Sequence, residues 1–98
     1  MSAEEGAMPD LTSMKNIGAE MARKLRAAGI RSPEELKEAG AKDAFFRLKI
    51  LYPGVCLVHL YALEGAVRGV EYNRLPEEAK AELKAFSDDL KGKGGPPG

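Results

Sequence analysis

Cys56 and His59, three positions apart, are the residues of this chain whose types could carry nucleophilic chemistry. A thiolate beside an imidazole is an activated nucleophile, and both side chains are metal donors. A closed metal site needs about four donors, and the sequence holds a single cysteine and a single histidine. Neither a metal nor a cofactor is therefore expected. Both residues fall in the most apolar stretch of the chain, where a small thiol and a hydrogen-bonded ring serve as packing residues. Carboxylate pairs at Glu34/Glu35, Glu77/Glu78 and Asp88/Asp89 are the other candidates, since two acids across a cleft can divide acid and base roles. The first two pairs fall in the first turns of expected helices, where negative charge complements the helix dipole, and the third lies on a solvated last turn. No catalytic residue, enzyme activity or small-molecule substrate is expected.

Glu64 differs because its surroundings are apolar and an unpaired buried charge is costly. Arg68, one turn onward, is its expected partner, with Arg47 or Lys49 as others within reach. Gly65 and Gly69 are expected to let another helix approach closely. The turn Met14-Lys15-Asn16-Ile17-Gly18 precedes a helix whose first amides can attract an anion. This is a helix-hairpin-helix pattern, in which Asn16 replaces the first glycine of the usual Gly-hydrophobic-Gly hairpin. If it grips a nucleic-acid phosphate, the contacts are expected from Lys15, Asn16, Ile17, Gly18, Ala19, Arg23 and Lys24.

The elements that must position these residues are helical. With 44% hydrophobic and 31% charged residues, the 98-residue chain has the composition of one globular domain. Fifteen basic residues cancel fifteen acidic ones, which removes whole-molecule attraction to nucleic acid or anionic lipid. No stretch alternates with the period of a strand, so an all-α domain of five or six helices with a helix-hairpin-helix-like N-terminal half is expected. Residues 1–8 and the Gly/Pro-rich residues 92–98 lack an apolar face and are expected as disordered tails around a domain spanning 9–91. Helices are expected over 10–15, 19–28, 33–40, 41–52, 55–70 and 76–90. Gly29 should end the second of them, with Ile30 packing back. Ser32-Pro33-Glu34-Glu35 is a strong helix start, with a cap, a first-position proline and an acid at the third position. The fourth should bury Ala41, Ala44, Phe45, Leu48, Leu51 and Tyr52. The fifth is apolar nearly all round and should be the central buried helix, too short and too interrupted by charge for a membrane span.

Asn16-Ile17-Gly18, Ala27-Ala28-Gly29-Ile30 with Glu35-Leu36, Gly40-Ala41, Ala44-Phe45 with Leu48-Lys49, and Leu60-Tyr61-Ala62-Leu63-Glu64-Gly65-Ala66 with Gly69 follow one another as in a known pattern. From Leu11 to about Leu90 the chain resembles the C-terminal domain of the TfoX/Sxy competence-regulator family. Residues 1–9 are too short for the additional N-terminal domain of full-length members, so the resemblance is to the C-terminal domain standing alone. Glu71-Tyr72-Asn73 sits where the family often has histidine and tryptophan, which leaves the aromatic packing role to Tyr72. The resemblance implies a compact helical domain linked to transcriptional control of DNA-uptake genes, and it brings no catalytic residues with it. A regulatory module with a protein partner is the leading expectation. Weak, sequence-nonspecific DNA binding through the hairpin is the alternative. The single cysteine and the absence of a secretory signal point to the cytoplasm, with no membrane involvement.

Overall fold

Capping chemistry sets the helix boundaries. Ser32 Oγ accepts the Glu35 N–H at 3.1 Å, Pro33 takes the first helical position, and Glu35 reaches back to the Arg31 N–H. The computed structural model describes residues 10–94, with side chains as far as Leu90. Four helices follow in order: α1 (Ala19–Ala27), α2 (Pro33–Leu51), α3 (Leu57–Arg68) and α4 (Glu77–Gly94). Single 3-10 turns stand at Leu11–Ser13 and Tyr72–Arg74. No strand occurs among the described residues, in agreement with the all-α expectation.

The helix α3 is the hub, packed against α2, α4 and the Tyr72–Arg74 turn. Leu60 and Leu63 on α3 meet one continuous core with Leu11, Ile17, Leu25, Ile30, Leu36, Phe45, Leu48 and Val55. Each of these large side chains contributes on the order of 1.5–3 kcal/mol by leaving water. The helix α1 stops as its sequence indicates. Gly29 takes φ +90, Ile30 N–H bonds the Leu25 carbonyl at 2.9 Å, and Ile30 folds into the core.

Several boundaries differ from the sequence expectation. The helix expected over 10–15 is one 3-10 turn, because Met14 is already extended and Asn16 takes a left-handed φ of +71. The two helices expected on either side of Gly40 are one element, α2, with Gly40 (φ 86, ψ 158) as a break inside it. Glycine reaches that conformation without a Cβ penalty, so helical bonding resumes directly after it. Leu51, expected in the core, is 48% exposed, as the last residue of α2 and beyond the final buried position of that helix, Leu48. The central helix begins at Leu57, so its first turn is partly open to solvent and Val58 is exposed. The last helix continues past Leu90 to Gly94. Of the tails expected at 1–8 and 92–98, residues 92–94 belong to α4 and the rest lie outside the described residues.

Candidate functional site

The hairpin is fixed by Asn16. Its Nδ2 donates to the Ala62 carbonyl at 3.3 Å and the Val70 carbonyl at 3.0 Å, while its Oδ1 accepts the Tyr72 N–H at 3.1 Å. One side chain thus joins the N-terminal turn to the body and C-terminal end of α3. Asparagine suits the position twice, since it tolerates a left-handed backbone and offers both a donor and an acceptor. The residue that departs from the usual hairpin glycine is therefore the one that holds the hairpin in place. Gly65 leaves room for it: a Cβ there would lie 2.6 Å from the Val70 oxygen and would collide with Asn16 Nδ2. The close approach expected at Gly65 is made by this side chain and a carbonyl, not by another helix.

The remaining hairpin residues are placed as follows. Ile17 is buried, and its N–H already bonds the Met14 carbonyl at 3.3 Å. Gly18 is the N-cap of α1 and has no side chain to satisfy the first amides, and Ala19 is exposed as the first helical residue. Arg23 is paired with Glu20, which lowers the Glu20 pKa and raises that of Arg23, chiefly through their hydrogen bond. Lys24 lies over the Tyr52 ring, 5.3 Å from its centroid. Arg26 pairs with Asp10 at 2.9 Å. Lys15 is exposed and has no ion-pair partner among the described residues. The cations clustered in the sequence are thus largely committed to neighbours within the fold.

A cleft of about 380 Å³ opens between this hairpin, α1 and the first turns of α3. Met21 and Lys24 on one side face Val58, His59 and Ala62 on the other, with Tyr72 at the edge. Val58 is 52% exposed and Tyr72 43% exposed. Tyr72, expected to pack inward as an aromatic, instead borders the cleft, while its backbone is tied to Asn16.

Cys56 and His59 meet at the start of α3, though not as buried packing residues, and His59 alone lines the cleft. Cys56 is the exposed N-cap of α3, and its N–H donates to His59 Nδ1 at 3.0 Å, with Sγ 3.5 Å from the same nitrogen. The ring nitrogen nearest the thiol is therefore occupied as a helix cap. Helix α3 starts at Leu57 because this pair satisfies its first turn, a local signal that the apolar run masked. Glu64 is paired with Arg68 at 2.6 Å, as its spacing predicts. Arg47 bonds Asp43 instead, and Lys49 donates to the carbonyls of Pro53 and Val55. No group of three or more His, Cys, Asp or Glu residues arranged to hold a metal occurs among the described residues. No helix among them is long and apolar enough to cross a membrane.

These elements define a small all-helical domain in which a hairpin, bolted to the central helix by one asparagine, forms a wall of an open cleft. The chain belongs to the TfoX C-terminal domain family, whose pattern matches residues 7–87. It is also similar to two solved structures from Listeria monocytogenes. The first, described as an uncharacterized protein in a triclinic crystal form, is 44% identical, with a TM-score of 0.84 over 86% of this chain and 96% of that one. The second, a protein of unknown function in a tetragonal form, is 45% identical, with a TM-score of 0.80 over 82% of this chain and 98% of that one. No curated protein matches the chain.

Proposed function

We propose that this domain is a non-enzymatic regulatory module that binds another protein, in the cytoplasm, as part of the transcriptional control of DNA uptake associated with its family. The observation that carries the reading is the cleft between α1 and α3, where Val58 and Tyr72 stand exposed beside Met21 and Ala62. Exposed apolar side chains bordering a concave surface are what a protein partner covers. An exposed free thiol at Cys56 suits a reducing compartment. The second reading keeps the Leu11–Ser13 turn, the hairpin and α1 as a helix-hairpin-helix-like half that binds DNA weakly. Lys15, without an ion-pair partner among the described residues, and the α1 N-terminus, without a side-chain cap, favour it. The pairing of Arg23 with Glu20 and of Arg26 with Asp10 weighs against it.

A photo-reactive phenylalanine analogue in place of Val58, introduced in cells of the source organism, should give discrete protein adducts, and the same probe at Glu38 should not. In parallel, amide shifts are followed while short duplex DNA is added at low salt. The protein reading expects residues 15–24 to stay unmoved at roughly millimolar DNA. Salt-sensitive shifts clustered on those residues, without adducts at position 58, would transfer the assignment to DNA.

A further inference from the structure

A second cleft, of about 410 Å³, lies between the hairpin, the first turn of α2 and the last turn of α3. Lys15, Lys37 and Arg68 line it from these three elements, against the single carboxylate of Glu34. Met14 and Val67, both half-buried and packed on the core, give it an apolar floor. The charges around it are not spent equally. Arg68 is held by Glu64, whereas Lys15 and Lys37 have no ion-pair partner among the described residues. Arg23, Arg26, Lys42, Arg47 and Lys84 each have one, and other cations such as Arg31, Arg74 and Lys80 have none among the described residues; what sets Lys15 and Lys37 apart is that they line one cleft from two elements. Two ammonium groups from separate elements, without ion-pair partners among the described residues, therefore border one cleft of mixed lining that has Met14 and Val67 in its floor.

We infer that this cleft docks an acidic amphipathic segment of a partner protein, with an apolar side chain on Met14 and Val67 and carboxylates reaching Lys15 and Lys37. Charge complementarity selects the sign of the partner, and the floor selects its class. Nucleic-acid phosphates would meet the lysines but gain nothing from Met14 and Val67, and Glu34 on the rim would repel a continuous phosphate backbone. A carboxylate-bearing peptide gains from both parts of the surface and can leave Glu34 in water. The inference rests on the reading of the domain as a protein-binding module and adds the chemistry of one partner surface, using none of the residues of the first cleft.

The test uses the full chain and a short synthetic peptide alternating aspartate and leucine, followed by amide shifts at low salt. Saturable shifts are expected at Met14, Lys15, Lys37 and Val67. The double variant Lys15→Glu/Lys37→Glu should bind about tenfold more weakly, because two exposed attractions become repulsions. The charge-neutral pair Lys15→Gln/Lys37→Gln should fall between the two, and Val58→Glu should bind as the parent does. Absence of saturation up to roughly millimolar peptide overturns the inference. So does an equal response to the peptide carrying lysine for aspartate, or unchanged affinity in the double variants. Stronger shifts of the same amides by short duplex DNA would reassign the cleft to nucleic acid. Adducts at position 58 combined with any of these failures would remove this inference and leave the module reading standing.

Discussion

Replacing Asn16 should loosen the whole N-terminal hairpin, and the structure lets the magnitude be worked out. Asn16→Ala removes three hydrogen bonds, those to the Ala62 and Val70 carbonyls and that from the Tyr72 N–H. At about 0.5–1.5 kcal/mol net for each, discounted because the site is only partly buried and water can replace some of them, the loss is about 1–3 kcal/mol. Alanine must also hold φ +71, a left-handed conformation that costs it roughly 1 kcal/mol. The sum, about 2–4 kcal/mol, is a large fraction of the 5–15 kcal/mol typical of a small domain. Asn16→Gly loses the same bonds without the backbone strain, so it should be the more stable of the two variants. Gly65→Ala attacks the junction from the opposite side and should also destabilise, since its Cβ meets the Val70 oxygen and Asn16 Nδ2. Urea denaturation followed by far-UV circular dichroism supplies all three values. An Asn16→Ala variant within about 0.5 kcal/mol of the parent, or one more stable than Asn16→Gly, would refute the assignment of Asn16 as the tie between hairpin and α3.

Two further outcomes are expected. Leu60→Ala and Leu63→Ala, each at fully buried positions on α3, should cost about 2–5 kcal/mol in the same denaturation experiment; losses under about 0.5 kcal/mol for both would contradict the central place of this helix. The Asp10 carboxyl is lowered from 3.8 to about 2, first by the Thr12 hydroxyl, then by Arg26 and the Thr12 N–H. A depressed carboxylate stabilises the fold above its unfolded pKa and loses that contribution as pH falls through the folded value. The urea midpoint of Asp10→Asn should therefore lie below that of the parent at neutral pH, and the gap should close between 3.8 and about 2; a gap independent of pH would show that the carboxylate charge is not what matters.

Signals confined to a few neighbouring residues were legible in the sequence. The Ser32 cap, the end of α1 at Gly29 with Ile30 turned inward, and the Glu64–Arg68 pair all follow from spacings of five residues or fewer. Ile17, Met21 and Leu25, spaced four apart, form a stripe that the sequence itself displays and the fold buries, whereas the fully buried Ala22 leaves little trace there because its small side chain carries little weight in such a pattern. The junction at Asn16 was not legible, because its partners lie 46 to 56 positions away and two of the three are carbonyls, which every residue carries. Position 16 registered as a departure from glycine and as one of the expected phosphate contacts, not as the tie to a distant helix. The capping role of Cys56 and His59 was hidden for a different reason: an apolar run extending upstream of Leu57 masks the helix start, and a cysteine cap is not among the side chains that usually announce one. The two clefts combine residues from separate elements, so only their individual charges and apolar groups were visible beforehand.

The break at Gly40 also changes what the length of α2 means. In an uninterrupted helix each residue turns by about 100°, so Leu36 and Ala41 would point about 140° apart and could not both face one core. Both are nevertheless buried, Leu36 at 0% and Ala41 at 4% exposure. The two halves of α2 therefore keep independent phases, with Gly40 as a rotary joint between them. An inserted or deleted residue before Gly40 would turn Leu36 out of place yet leave Ala44, Phe45 and Leu48 in register against α3. The cost of such a change would thus fall on Leu36 and the half of α2 that borders the lysine-lined cleft, and not on the half packed against α3.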